Sequence, residues 1–154
     1  MTRPIAFAPR DSVEAVEEGL TLAPRFGADG LMPCVTVDAV SGAVLMLGWM
    51  DEAALRLTLN TGEAHYWSRS RRAIWRKGAV SGLTQRVVEA RIDDDQDALL
   101  LRVAVSGSGA SCHVGYRSCF YRRIEADGAL AFVETDKLFD PKTAYGDLPN
   151  PTQL

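Results

Sequence analysis

Between two apolar runs that read as strands, Thr84 to Ile92 and Leu99 to Val105, the chain places Asp93-Asp94-Asp95-Gln96-Asp97. Carboxylates packed this closely repel one another. They are tolerated on a solvated turn or offset by a cation, so any fold must leave this segment at the surface while its flanks go inside. If the segment is extended, Asp93, Asp95 and Asp97 point one way and Asp94 and Gln96 the other. Three carboxylates on one side form a cradle for a hard divalent cation such as Mg²⁺. A calcium loop is excluded, because Ala98 stands where its glycine is needed and Ala104 where its glutamate is needed. A plain polar turn between two strands explains the same residues without a ligand.

The surrounding pattern predicts one mostly-β α+β domain. Val35 to Asp38 and Ala43 to Trp49 are apolar, β-branched runs split by Ser41-Gly42, which predicts a hairpin. Met50, Ala53, Ala54 and Leu57 recur at helical spacing, with Asp51 as N-cap and Gly62 as stop. Ala64 to Ser70 alternates, so His65, Trp67 and Arg69 share a face if extended. Leu99, Leu101, Val103 and Val105 share another. Cys119 to Glu125 and Leu130 to Val133 suggest a second hairpin turning at Ala126-Asp127-Gly128. Residues 1–30 read as an arm with a short helix over Ser12 to Glu18, 31–135 as the catalytic domain, and 136–154 as a surface-running tail.

With 154 residues, 47% of them hydrophobic, the chain has enough apolar surface for a core. A net charge of −3 gives no global attraction to a nucleic acid polymer or an anionic membrane. No apolar run approaches spanning length, and Arg3 and Arg10 are not followed by the apolar stretch of a secretory signal. Three cysteines argue for reduced thiols or metal ligands in a cytoplasmic protein.

Six residues separate Cys112 from Cys119, looser spacing than a zinc knuckle, though His113 beside Cys112 strengthens the metal reading. Cys34 reads as a small buried hydrophobe. His65 suits a hydrogen-bonded structural histidine as well as a catalytic one. The pattern of a zinc-dependent cytidine deaminase is absent. Arg69, Arg71, Arg72, Arg76 and Lys77 put five cations in nine positions of an acidic chain. With Ser68, Ser70 and Ser81 they suit phosphate oxygens, and Trp67 or Trp75 suits a stacked base. Such a short cluster fits a small phosphorylated molecule rather than a polymer; a solvated loop is the plainer alternative.

Taken in order, His65-Tyr66-Trp67-Ser68-Arg69-Ser70, Trp75-Arg76-Lys77-Gly78 with Ser81-Gly82, the acidic cluster, Ser111-Cys112-His113 and Ser118-Cys119-Phe120-Tyr121 resemble the phosphoribosyl-AMP cyclohydrolases of histidine biosynthesis. Val44 to Met50 resembles that family as well, so the likeness runs from about Leu31 to Arg122. The resemblance implies an intertwined homodimer and a zinc hydrolase that opens the N1–C6 bond of an adenine ring. Magnesium would sit on Asp93, Asp95 and Asp97, and zinc on Cys112 and Cys119, its site completed across the subunit interface. Many members carry a following pyrophosphohydrolase domain; the length left here predicts that this activity comes from a separate protein.

Two positions depart from the family pattern. Asp94 stands where the family has its third zinc cysteine, and Leu83 where it usually has His or Asn. Aspartate is an accepted but harder zinc donor. The expected zinc set is therefore Cys112, Cys119, Asp94 and water. Zinc-activated water would attack C6, with His113 as first candidate base and His65 as second. Trp67, Arg69, Arg71, Trp75, Arg76, Lys77 and Ser81 would bind the nucleotide. Asp94 and Leu83 keep open a paralogue that hydrolyses another purine-like or cyclic amidine substrate. A non-enzymatic metal- or nucleotide-binding protein and a Cys119–His113 thiol enzyme are further alternatives.

Overall fold

The strand-like runs pair as their patterning requires. A computed structural model of the protein describes residues 4–154; Arg3 lies outside the described residues. β1 (Met32–Asp38) and β2 (Val44–Met50) form the expected antiparallel hairpin. Its turn is built by Asp38, whose carboxylate accepts from the Val40 and Ser41 amides, with Gly42 at φ +74. β5 (Gln85–Ile92) and β6 (Leu99–Val105) form a second antiparallel pair with an irregularity between Val87 and Glu89. β6 then pairs parallel with β1, giving a four-stranded sheet in the order β2-β1-β6-β5.

α2 (Glu52–Thr61) begins and ends where its capping residues predict. Asp51 accepts from the Ala54 amide at 2.7 Å, and Gly62 takes the left-handed conformation at φ +73. Its buried face differs from the expected one. Ala54, Leu55 and Thr58 face inward, whereas Ala53 and Leu57 are exposed. The buried Thr58 hydroxyl is the reason: it donates to Ala54 O and accepts from the His65 amide, stitching the helix to the next strand. That strand, β3 (His65–Ser68), pairs with β4 (Ala73–Arg76), which the basic character of the segment had concealed. Arg69 lies in the turn beyond β3 rather than on its face.

The core lies between the sheet, α2 and the β3–β4 hairpin. Met32, Cys34, Leu45, Met50, Leu55, Tyr66, Leu101 and Val103 fill it. Cys34 is the buried hydrophobe expected, and burial pushes its thiol up to about 12. The Tyr66 ring packs closely on Gly48: a Cβ there would sit 2.5 Å from it, so β2 needs glycine at this crossing. β7 (Arg122–Ile124) and β8 (Leu130–Phe132) form the second hairpin, turning at Gly128 but starting later than Cys119. Its Ile124, Leu130 and Phe132 are exposed, as are Leu47 on β2 and Phe120. The tail is not wholly irregular, because α3 (Pro141–Tyr145) forms a turn capped by Asp140. Among the described residues, no helix is long and apolar enough to cross a membrane.

The acidic segment is a tight turn, not an extended strand. Asp93 Oδ1 accepts from the Asp97 and Ala98 amides at 2.9 and 3.0 Å, and Gln96 takes φ +57. The expected alternation of side chains therefore does not apply. Gln96 is buried and turns toward the N-terminal arm. Its amide oxygen accepts from Ala23 N at 2.7 Å, its amide nitrogen donates to Val16 O and Thr21 O, and its carbonyl accepts from Arg25 N. Arg10 donates to Asp95 O. The arm, with its helix α1 (Val13–Glu17), is thereby fastened to the acidic turn. Replacing Gln96 with Ala strands Ala23 N, Val16 O and Thr21 O and should cost about 1–3 kcal/mol. Urea unfolding should show a lower midpoint, and limited trypsinolysis faster cutting in the arm; an unchanged midpoint would remove the latch from the account.

Candidate functional site

Two backbone devices bring the distant thiols together. The Ser111–Arg117 loop closes on itself through Ser111 N to Arg117 O at 3.0 Å and Cys112 N to Tyr116 O at 3.2 Å. Ser118 and Cys119 then dock on the free edge of β2. The Cys119 amide donates to Leu45 O at 2.7 Å and the Ser118 hydroxyl to Val44 O at 2.8 Å. The two thiols are near enough to titrate together. The Cys119 side chain, helped by the Val114 amide and then Lys77, outweighs burial and lowers Cys112 to about 6. Cys112 in turn pushes Cys119 the other way, so the pair keeps one proton near neutrality.

His113 follows Cys112 in the loop and is half-buried, its Nε2 buried and without a hydrogen-bond partner among the described residues, but its ring nitrogens do not close with both thiols into a three-ligand group. Burial, and then Lys77, lower its pKa, with the Asn150 side chain pulling the other way, so the imidazole is neutral near pH 7. A neutral ring with a free nitrogen is able to accept a proton. His65 is tied by Nδ1 to Glu63 O at 2.8 Å.

The acidic turn does converge its carboxylates, by a route the period-two argument did not supply. Asp93, Asp95 and Asp97 bring one oxygen each within 4.8 Å of one another. Crowding by Asp95 raises the Asp97 pKa, and amide hydrogen bonds hold that of Asp93 low against burial. These are hard donors suited to a divalent cation. Among the described residues, this trio is the only group of three ligating side chains so close together. Asp94 is exposed, bonds the Asp95 amide, and does not join Cys112 and Cys119 within the chain.

The basic segment divides into surface and interior. Arg69 and Ser70 line an open cleft of about 660 Å³ with Pro151 and Gln153 from the tail. The Arg69 guanidinium stacks over Trp49 at 5.0 Å, and Arg71 donates to the Ser68 hydroxyl. Trp67 is half-buried on β3. Arg76 is engaged by Glu63 at 3.0 Å, and Trp75 packs against Tyr66 at 5.4 Å. Ser81 accepts from the Leu83 amide within its own loop. Lys77 leaves the expected cluster altogether: it is buried, and its ammonium donates to Ser111 O at 2.6 Å. The phosphate-clamp expectation for Lys77 therefore meets a side chain turned away from solvent.

Gln85, Tyr66 and Thr36 escaped the sequence reading. They form a buried chain in which the Tyr66 hydroxyl bonds Thr36 Oγ1 at 2.7 Å and donates to Gln85 Oε1 at 2.6 Å, while Gln85 Nε2 reaches Ser111 Oγ at 3.2 Å. A signal existed for Tyr66, since alternation with His65 and Trp67 turns its ring to the opposite face. Gln85 gave none beyond being an amide at the head of an apolar strand.

A family model described as phosphoribosyl-AMP cyclohydrolase matches residues 46–121. A protein of that name from Bradyrhizobium diazoefficiens (strain JCM 10833 / BCRC 13528 / IAM 13628 / NBRC 14792 / USDA 110) is 57% identical over 133 residues, covering 84% of this chain and 94% of its own. Another from Rhodopseudomonas palustris (strain BisA53) is 53% identical over 146 residues, covering 92% and 96%. A third, from Bradyrhizobium sp. (strain BTAi1 / ATCC BAA-1182), is 58% identical over 127 residues, covering 79% and 95%.

The shared proton of the thiol pair has a direct spectroscopic reading. In metal-free protein, ultraviolet thiolate absorbance should appear with a midpoint at about 6, because the depressed group is an anion above that pH and a thiol below it. Cys112→Ser should abolish this step, and Cys34 should contribute nothing there. A first thiolate appearing only above pH 8.5, the ordinary range, would contradict the pairing.

Proposed function

The chain belongs to the phosphoribosyl-AMP cyclohydrolase family, and from that premise we propose that it opens the N1–C6 bond of the adenine ring of phosphoribosyl-AMP in histidine biosynthesis. The observation that carries the reading is the thiol pair: two sulfur donors, one acidic, in a loop that also holds a neutral imidazole with an unpartnered buried nitrogen. The donor chemistry fits zinc, which takes thiolate, imidazole and carboxylate ligands. It also fits magnesium on the oxygens of Asp93, Asp95 and Asp97. Cys112 and Cys119 supply two zinc ligands, and Asp94 from a second copy of the chain would supply a third. The exposed apolar side chains of the β7–β8 hairpin support such a homodimer, since an isolated two-stranded hairpin is marginal in water.

The chemistry that zinc supplies when bound is activation of water as a nucleophile near neutral pH. The remainder falls to side chains. His113 Nε2 accepts the proton of the attacking water and returns it to N1 as the N1–C6 bond breaks. Water oxygen stays on C6, which keeps its exocyclic nitrogen and becomes a carboxamide, while N1 leaves as an amidine nitrogen. Arg69 and Arg71, on the β3–β4 turn, meet the phosphates at the cleft, and Trp67 supports the base. His65, fixed by Glu63 O, has its other ring nitrogen left for a proton or the nucleotide.

A divergent substrate remains a second reading on the strength of Asp94 alone. Leu83, the other departure, is buried and leans on Gly107, where an added Cβ would lie 2.9 Å from its side chain. It serves packing there. Ring opening of phosphoribosyl-AMP, followed by absorbance alongside elemental analysis, tests the proposal. The purified protein should contain zinc and turn over, stop after strong chelation and recover on adding zinc. Zinc-loaded protein without turnover would favour the divergent substrate. Arg69→Ala should raise KM about tenfold, roughly 1.4 kcal/mol, with zinc content unchanged. Asp94→Cys should bind zinc more tightly than wild type in competition with a chromophoric chelator.

A further inference from the structure

Lys77 sits where a lysine is expensive. It follows β4, and the sharp turn at Gly78 (φ +87) brings the chain so close to Thr84 that a Cβ would meet its amide at 2.3 Å. This turn directs the side chain inward, leaving Lys77 only 8% exposed. Burying an ammonium costs several kcal/mol, more than one hydrogen bond repays. The ammonium donates to Ser111 O at 2.6 Å and lies 5.3 Å from the Trp75 ring. It is also within electrostatic range of both Cys112 and Cys119. Ser111 immediately precedes Cys112, and its hydroxyl is held from the opposite direction by Gln85 Nε2. Gln85 is itself fixed by Tyr66. The residue before the first thiol is thus gripped at its carbonyl by a buried cation and at its hydroxyl by a buried amide.

We propose that Lys77, with Gln85, is a positioning residue for the metal-ligating thiols: it fixes the backbone that presents Cys112 and places a positive charge beside the anionic sulfur pair. This rests on the zinc reading above. A centre built from two thiolates and a carboxylate leaves a divalent ion with one net negative charge. A fixed cation beside it stabilises that excess, and the bond to Ser111 O removes conformational freedom from the ligand loop. Outer-shell groups of this kind typically tune metal affinity by about 10–100-fold. The basic segment therefore separates into surface arginines for the nucleotide and one interior lysine for the metal ligands.

The test measures zinc affinity by competition with a chromophoric chelator in the full chain, well below each variant's metal-free Tm, together with KM for phosphoribosyl-AMP at saturating zinc. Lys77→Met keeps the bulk and removes the charge; it should weaken zinc about tenfold or more while leaving KM within about twofold. Lys77→Arg should recover most of the affinity. Zinc affinity unchanged in Lys77→Met, or KM raised with zinc affinity unchanged, would overturn the proposal and restore Lys77 to substrate binding. Loss of Tm with intact zinc affinity would reduce it to a packing role and overturn it equally. Wild-type protein that binds no zinc would overturn the metal reading itself, a result distinct from these. Should Lys77→Met fail to fold, Gln85→Met, which cuts the second hold on Ser111, must also weaken zinc for the proposal to stand.

Discussion

The Tyr66 hydroxyl is the point through which the layers of this protein are tied. It bonds Thr36 on β1 and Gln85 on β5, and Gln85 passes the connection to Ser111 at the head of the thiol loop. Each of these groups would be costly to bury alone, and each is satisfied by the next. Hydrophobic packing of Leu45, Leu55 and Leu101 holds the sheet against α2, but it is tolerant of small shifts. Directional bonds are not. The polar chain therefore sets how the β3–β4 hairpin sits on the sheet, and through Ser111 it sets where Cys112 stands.

The site is built on that frame from segments with no regular structure of their own. The thiol loop takes its shape from its internal backbone bonds, and Cys119 takes its place from the free edge of β2. Edge strands expose unpaired backbone groups that natural proteins cover. Here Leu45 O is covered by the Cys119 amide itself. Protection of an edge and placement of a thiol are one arrangement. The β7–β8 hairpin follows directly, with Tyr121 stacked on Tyr116 at 4.1 Å, so the apolar surface and the thiols are parts of one continuous feature.

What was legible in the sequence was local. The β1–β2 hairpin, the caps of α2 at Asp51 and Gly62 and the buried face of β6 follow from neighbouring residues alone. The residue types of the site were also legible, because acidic, thiol and imidazole groups are uncommon in such density. Geometry was less so. Period-two reasoning assumed an extended acidic segment, whereas Asp93 folds it by capturing the amides of Asp97 and Ala98. Lys77 read as one more surface cation because its burial depends on Gly78 and on a loop more than thirty residues away. Gln96 read as a neutral spacer because its partners lie in an arm some seventy residues earlier. The last two misses concern polar side chains whose partners are remote, where composition and spacing carry no information about distance; the first is a local side-chain–amide turn that competes with the extended strand.

The acidic turn carries one more implication. Its shape is maintained by Asp93 through backbone amides and by Gln96 through the arm, and neither hold uses the convergent carboxylate oxygens of Asp95 and Asp97. Asp93 thus serves both as scaffold and as one wall of the cradle, while the Asp95 and Asp97 carboxylates are left to the cradle alone. A turn organised by its own amides does not have to fold around a cation, so the entropy of assembling the donors is already spent before any ion arrives. A hard cation taken up there would then come and go without unravelling the connection between β5 and β6.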